Sequence, residues 1–330
     1  MREMQGVRIF KKAIREFNPD VISVWNMSQL SSALLMLVKR AAKPVRFHLD
    51  DDWMLNEDVW FRAWKDYNRF WMRMVKRVVR GWVDHRSALL PGLDAGAQCV
   101  FISKFRRDQY ALAGWPVATS EVIYGGIPET FLTHDNGVAR RDSYPYRILF
   151  VGMVSPAKAP HLAIEALALL RTSGMTNVCL DIVGLQHQPE YSKTLRALVQ
   201  RHGLEQQVVF LGAQPRDTLP SVYRAHDALV FTSVAAEGFP LTILEAMGSR
   251  LPVIASLSGG QNEIIEQGVN ALGFTPGDVG ALAAHIRLLV EQPTLAQRLA
   301  CAGQALVRDH FTTDEMVQRH EALFQKAMRT

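Results

Sequence analysis

"SVAAEGFPLTILEAMGSRLPVIAS", residues 233–256, sets a small-residue loop, a helical pattern and a short apolar run in direct succession. Leu241, Leu244 and Met247 fall on one helical stripe, and "PVIA" has the continuous apolar character of a strand buried on both faces. Loop, helix and buried strand in that order are the repeating parts of a parallel α/β sheet. The stretch also carries Glu237 in the loop and Glu245 in the helix, so it raises a chemical question as well as a structural one.

The same alternation runs outward in both directions. Upstream of it, "RILFVG" (147–152), "VCLDIVG" (178–184), "VVFLG" (208–212) and "ALVFTS" (228–233) read as strands. Helical patterns such as "HLAIEALALLRTSG" and "YSKTLRALVQRHG" separate them, each closed by glycine. Further upstream, "DVISVW" (20–25), "PVRFHL" (44–49), "QCVFIS" (98–103) and "EVIYGG" (121–126) form a second series. Between the two lies "IPETFLTHDNGVARRDSYPYR", 127–147, polar and irregular, the best linker candidate. The expectation is therefore two α/β domains, 1–140 and 141–330, with a cleft where they meet.

Composition narrows the class. With 48% hydrophobic and 21% charged residues, the chain has the make-up of a globular protein with well-formed cores. No apolar run is long enough for a transmembrane helix, and "MREMQGVRIFKKAIREFNPD" lacks the apolar core of a signal peptide. Cys99, Cys179 and Cys301 lie far apart in apolar contexts, without metal-ligand spacing, and read as reduced core residues of a cytosolic protein.

Polar residues gather where strands of the second series end. "LFVGMVSPAKAPH" places Gly152, Ser155 and Lys158 between a strand and a helix. That arrangement suits a phosphate: close backbone approach, a helix N-terminus and a lysine as point charge. A solvated turn lysine is the plain alternative. In the opening stretch, the helix N-terminus offers free N–H groups to an anion and Thr242 adds a hydroxyl. Glu237 would reach hydroxyls beyond that anion and Glu245 would reach back to its other side. Two carboxylates accepting from vicinal hydroxyls around a diphosphate describe a nucleotide-sugar site. A catalytic acid/base pair and two surface glutamates are the competing readings.

Residues 147–325 resemble the donor-binding half of a retaining glycosyltransferase of family 4, whose GT-B fold has two facing Rossmann-like domains. The resemblance rests on "ILFVGMVSPAKAPHLAIEAL", "LDIVG", "VVFLGAQP", "LPSVYRAHDALVFTS", "EGFPLTILEAMGSRLPVIAS" and "SGGQNEII", in that order. "NPDVISVW", "FHLDDDW", "CVFISKF" and "VIYGGIPETF" match its acceptor domain more loosely. The resemblance implies that Glu237 binds the transferred sugar, Glu245 the ribose, and Lys158 the diphosphate leaving group. It further implies that Gly152, Gly238, Phe239, Leu241 and Thr242 line sugar and phosphate, and that Gly212, Ala213 and Gln214 meet the base. No metal and no cofactor beyond the donor substrate are expected, and the configuration is retained by same-face attack with the departing phosphate as base.

The sequence departs from the family in three places. Met153 stands where an arginine usually joins the lysine on the diphosphate, and Ala159 where a glycine commonly follows the lysine. The chain begins at the helix before "PDVISVW", so roughly 70–90 residues of a typical acceptor domain would be absent and that domain incomplete at its amino end. "DVISVW" would then be an unpaired apolar edge prone to self-association. On the acceptor side His48 and Asp51 are the candidates for the reacting hydroxyl, with Asp50 an alternative alignment.

The segment Trp60–Arg86 carries eight basic residues against Asp66 and Asp84. At helical spacing Trp60, Trp64, Tyr67, Trp71 and Trp82 share one face and Arg62, Lys65, Arg69, Arg73, Lys76 and Arg80 cluster opposite. It reads either as a domain helix or as a helix lying on an anionic membrane. The expected activity is a cytoplasmic glycosyltransferase, peripheral on the inner face of the membrane in the second case, acting on a glycan or lipid-linked acceptor. No nucleic-acid module is present. The rivals are a nucleotide-sugar epimerase and a non-catalytic homologue that binds a nucleotide sugar or a partner enzyme.

Overall fold

The structure, a computed structural model, describes residues 2–26, 38, 41, 43–53, 55, 99–115, 117–132 and 145–329. The basic-aromatic segment 60–86 and residues 133–144 of the expected linker lie outside the described residues. Two compact units result: Met1–Tyr124 with Val317–Thr330, and Gly125–Met316.

In the first unit, α1 (Arg2–Phe17) leads into β1 (Ile22–Trp25), followed by β2 (Val45–Leu49), β3 (Cys99–Phe101), α2 (Lys104–Leu112) and β4 (Glu121–Val122). The strands run parallel in the order β1-β2-β3-β4. β1 alternates buried Ile22 and Val24 with exposed Ser23 and Trp25, the pattern of a half-covered strand. Among the described residues it pairs with β2 alone. β2 is nearly all buried, and Leu49, Phe101 and Tyr110 are the most enclosed members of this core. Ser103 caps α2 by accepting from the Arg106 N–H.

The second unit holds β5 (Tyr146–Val151), α3 (Pro160–Thr172), β6 (Val178–Val183), α4 (Pro189–Arg201), β7 (Val208–Gly212) and α5 (Leu219–Arg224). It continues with β8 (Ala228–Phe231), α6 (Leu241–Gly248), β9 (Val253–Ser256), β10 (Leu272–Phe274), α7 (Val279–Glu291) and α8 (Pro293–His310). The final helix, α9 (Thr313–Met328), starts here, and its residues from Val317 onward belong to the first unit. The sheet order is β10-β9-β8-β5-β6-β7, all parallel. Read from β7, this is the doubly wound 3-2-1-4-5-6 arrangement. Ile148, Leu149, Leu180, Leu229 and Ile254 are fully buried, which is why these strands read as continuous apolar runs.

The strand order reverses between β5 and β8. Ligands of open α/β sheets bind beyond the carboxyl ends of strands at such a switch point. Here those two ends lead directly into the loops carrying Lys158 and Glu237. Residues at the head of the expected linker are packed into the second unit instead of spanning to it. Ile127 and Phe131 are 0% and 1% exposed, and the Ile127 N–H and C=O bond the backbone at Phe311 and Thr313. Cys99 is buried, its thiol pushed up to about 12 by desolvation, while Cys179 and Cys301 are half-buried; all three are free thiols. Among the described residues no helix is long and apolar enough to cross a membrane.

Candidate functional site

The loop after β5 and the loop after β8 are tied together along their backbones. The Val234 N–H donates to the Ala157 carbonyl at 2.9 Å, and the Thr232 hydroxyl to the Lys158 carbonyl at 2.9 Å. This brings Lys158 Nζ to 2.6 Å from Glu237 Oε1. The Ser233 hydroxyl donates to the same oxygen at 2.6 Å. Lys158 and Glu237 keep 29% and 19% of their side-chain surface exposed, so the pair faces an opening and is not part of the core. Among the described residues, Glu237 Oε2 has no partner and stays available as an acceptor.

A glycine pair supports this loop from below. The Gly260 N–H donates to the Glu237 carbonyl at 2.8 Å. A Cβ on Gly260 would lie 1.9 Å from the Gly238 carbonyl oxygen, and one on Gly259 2.5 Å from that of Glu237. Only glycine allows such an approach. Gly152 and Gly184, at the ends of β5 and β6, meet in the same way, a Cβ on Gly184 falling 1.7 Å from the Gly152 carbonyl oxygen. Beside Gly152, the Met153 side chain is 49% exposed. Ala159 adopts a left-handed conformation with φ 49°, ψ 48°. That geometry favours glycine by roughly 1–2 kcal/mol, so the alanine after Lys158 is a strained replacement.

Glu245 is placed differently from Glu237. It is buried on α6 at 4% exposure. Its Oε2 accepts from the Tyr223 hydroxyl at 2.9 Å, and its Oε1 lies 3.1 Å from Arg216 Nη2. Burial raises the Glu245 carboxyl above its ordinary value, opposed by the Tyr223 hydrogen bond and the Arg216 charge. Tyr223 is fully buried, and burial followed by the Glu245 charge holds its phenol well above the usual range, so it remains a donor. Gly212 ends β7 and Ala213 and Gln214 follow it, with the Gln214 amide donating to the Leu211 carbonyl at 2.9 Å. Gly238 and Thr242 are partly exposed, Leu241 likewise, and Phe239 is buried against Phe311.

His48 and Asp51 belong to the first unit. The His48 ring lies flat on Trp25, with centroids 3.7 Å and planes 2° apart, and faces His320 at 5.0 Å. It is 1% exposed, and burial, reinforced by His320, lowers it to about 3, a neutral imidazole. Asp51 holds a turn: Oδ2 accepts from Asn26 at 2.7 Å and Oδ1 from the Trp53 N–H at 2.9 Å. Asp50 is exposed.

Sequence reasoning missed Arg216, Tyr223, Ser233 and the structural role of Gly259 and Gly260. Only the "GG" of "SGGQNEII" carried a local signal, since adjacent glycines mark close backbone approach. The other partners are set by folding across distant segments.

A doubly wound parallel sheet whose switch point opens on the loops of Lys158 and Glu237 is a Rossmann-like α/β unit, and two parallel-sheet units in one chain define the GT-B fold class. The chain belongs to the family described as "Glycosyl transferases group 1", whose model matches residues 133–305, more than half of the chain. It is 30% identical over 217 residues to the D-inositol 3-phosphate glycosyltransferase of Mycolicibacterium vanbaalenii, 61% of this chain and 47% of that protein. It is 31% identical over 241 residues to an uncharacterized glycosyltransferase of Methanocaldococcus jannaschii, 70% of this chain and 60% of that protein. The chain thus spans about half the length of the first of these curated relatives. Anabaena HepE, solved in complex with UDP-glucose, shares the fold with a TM-score of 0.74 at 24% identity, over 97% of this chain and 81% of that one.

Proposed function

We propose that the chain is a glycosyltransferase that moves a sugar from a nucleoside-diphosphate sugar to a hydroxyl of a glycan or lipid-linked acceptor in cell-surface glycan synthesis. The observation that carries this reading is the Lys158–Glu237 pair at the switch point, 2.6 Å apart and open on one side. In it, Lys158 neutralises the diphosphate as the glycosidic bond breaks. Glu237 accepts hydroxyls of the transferred sugar through its unoccupied oxygen, and Glu245 accepts those of the ribose. Gly152, Gly238, Phe239, Leu241 and Thr242 line sugar and phosphate, and Gly212, Ala213 and Gln214 face the base. The configuration is retained, the departing phosphate taking the acceptor proton, and no metal takes part.

On the acceptor side, His48 and Asp51 are the proposed groups, His48 as a neutral hydrogen-bonding imidazole. The segment 60–86 is the proposed contact with an anionic membrane surface on the cytoplasmic side. The relatives' own descriptions as glycosyltransferases, and the UDP-glucose in HepE, support the donor class.

One observation favours a second reading: exposed Met153 provides no charge beside the phosphate loop, which suits a homologue that binds a nucleotide sugar without transferring it. Incubation with radiolabelled UDP-, GDP- and ADP-sugars separates the two. With a glycan or lipid-linked acceptor supplied, release of free nucleotide together with movement of the label into that acceptor, both abolished in Glu237→Ala while nucleotide binding survives, is the expected result. Binding without release in the unaltered chain would establish the second reading.

A further inference from the structure

Glu245 and Arg216 are an unequal pair. The carboxylate is 5% exposed at its side chain and the guanidinium 61%, yet they meet at 3.1 Å. The guanidinium carbon also stands 5.7 Å from the centroid of Phe131, whose ring packs edge-on against Tyr223 at 5.9 Å. An otherwise solvated side chain is therefore held at its charged end by two groups of one buried framework. Phe131, Tyr223 and Glu245 come from three segments far apart in the chain, so the framework exists only in the folded unit.

The carboxylate has about four acceptor positions. Tyr223 and Arg216 use one each, on opposite oxygens. What remains is a pair of acceptor positions in a fixed plane, as two vicinal hydroxyls need. An ionised carboxylate accepts such bonds more strongly than a neutral carboxyl, whose proton must itself be placed. Burial works against the ionised form here, and Arg216 is the cation that opposes it. The groups facing Glu245 are Arg216 from the loop after β7, Tyr223 from α5, and Thr242 on its own helix, whose hydroxyl reaches Tyr223.

We propose that Arg216 is a positioning residue for nucleotide recognition: it clamps Glu245 as an ionised, aimed acceptor for the ribose hydroxyls. This rests on the reading of Glu245 as the ribose ligand. Arg216 would act through Glu245 and not by contacting the reacting atoms. A merely structural Arg216 would stabilise the loop after β7 without touching ribose selectivity.

The test is calorimetry with UDP, GDP and ADP, each beside its 2′-deoxy counterpart, at pH 6 and pH 8, on the full chain and on Arg216→Gln and Arg216→Lys. Since Arg216 is largely exposed, both variants should fold, which thermal unfolding checks. The full chain should prefer the ribonucleotide about tenfold, the worth of one hydrogen bond to a charged group. Arg216→Gln should lose most of that preference and bind more weakly at pH 6 than at pH 8, because Glu245 then protonates more readily. Arg216→Lys should restore charge without the planar fork and recover only part of the preference. If Arg216→Gln keeps the ribose preference and the pH profile of the full chain, the clamp is refuted. An equal loss for ribo and deoxy ligands at both pH values refutes it too and leaves a structural role. If the full chain binds no nucleotide at all, the ribose reading fails first, and the clamp with it.

Discussion

Replacing Tyr223 with phenylalanine removes one oxygen from a fully buried ring and leaves its packing on Phe131 intact. The lost contacts are the 2.9 Å bond to Glu245 Oε2, made to a carboxylate that is 4% exposed, and the hydrogen bond with the Thr242 hydroxyl. Water cannot substitute freely at such a depth, so the cost should approach that of a buried hydrogen bond to a charged group, about 1.5–3 kcal/mol. For a unit the size of Gly125–Met316, each kcal/mol lowers Tm by about 2–4 °C, giving a shift of about 3–12 °C. The deficit should depend on pH, and its sign follows from linkage. Losing the Tyr223 donor raises the Glu245 carboxyl further in the folded state. A carboxyl raised on folding binds more protons folded than unfolded, so the folded state gains as pH falls through that value. The variant should therefore be most deficient near pH 8 and recover towards the parent in mild acid. Differential scanning calorimetry at several pH values reads both effects. A Tm within 1 °C of the parent at pH 8, or a deficit that does not change with pH, would refute the assignment of this bond as the support of an ionised Glu245.

Three other outcomes follow from the geometry. Gly260→Ala should displace the Glu237 loop, since the new methyl would sit 1.9 Å from the Gly238 carbonyl oxygen; faster amide exchange at position 260 is the sign, and unchanged protection would count against it. The buried Asp181 carboxyl, which burial alone would raise, is held below its ordinary value by hydrogen bonds from His226 and Arg147, so its contribution is present at neutral pH and lost as pH falls through that depressed value. Urea unfolding should show Asp181→Asn destabilised at pH 7 and converging with the parent in acid; a gap that widens in acid would reverse the sign argued here. β1, paired with β2 alone among the described residues, should mediate self-association, and Ser23→Lys on its exposed face should shift sedimentation towards monomer. A parent chain that is monomeric at high concentration would remove that edge from consideration.

Much of the second unit was legible because its strands are buried on both faces and its helices end at glycine. "RILFV", "VCLDIV", "ALVF" and "VIAS" became β5, β6, β8 and β9 almost residue for residue. β10 escaped notice because it is three residues long with Gly273 in the middle, and a Cβ there would strike Leu257 at 2.6 Å. The residues that hold the site were legible as types and not as partners. Nothing local couples Lys158 to Glu237 or Arg216 to Glu245; each contact exists because the sheet order returns two distant strand ends or loops to one place. The burial of Glu245 was hidden for a related reason. Its place in the helical pattern allowed a surface glutamate as a competing reading to the ribose ligand, and the face it occupies is closed by Tyr223 from α5. The same holds in the first unit, where His48 sat in a plausible polar run and proves to be enclosed by Trp25 and a helix from the far end of the chain.

The proposed hold of the second unit on the nucleotide half of a sugar donor, through Glu245 and its neighbours, is tested most simply by direct titration. UDP, GDP and ADP would each be titrated into the purified chain and into Glu245→Ala, with heat as the readout. The expected result is one preferred nucleotide, bound about 1–3 kcal/mol less tightly by Glu245→Ala, the cost of leaving buried polar partners unpaired. No heat from any of the three nucleotides, or equal affinity in the variant, would contradict the assignment of this site.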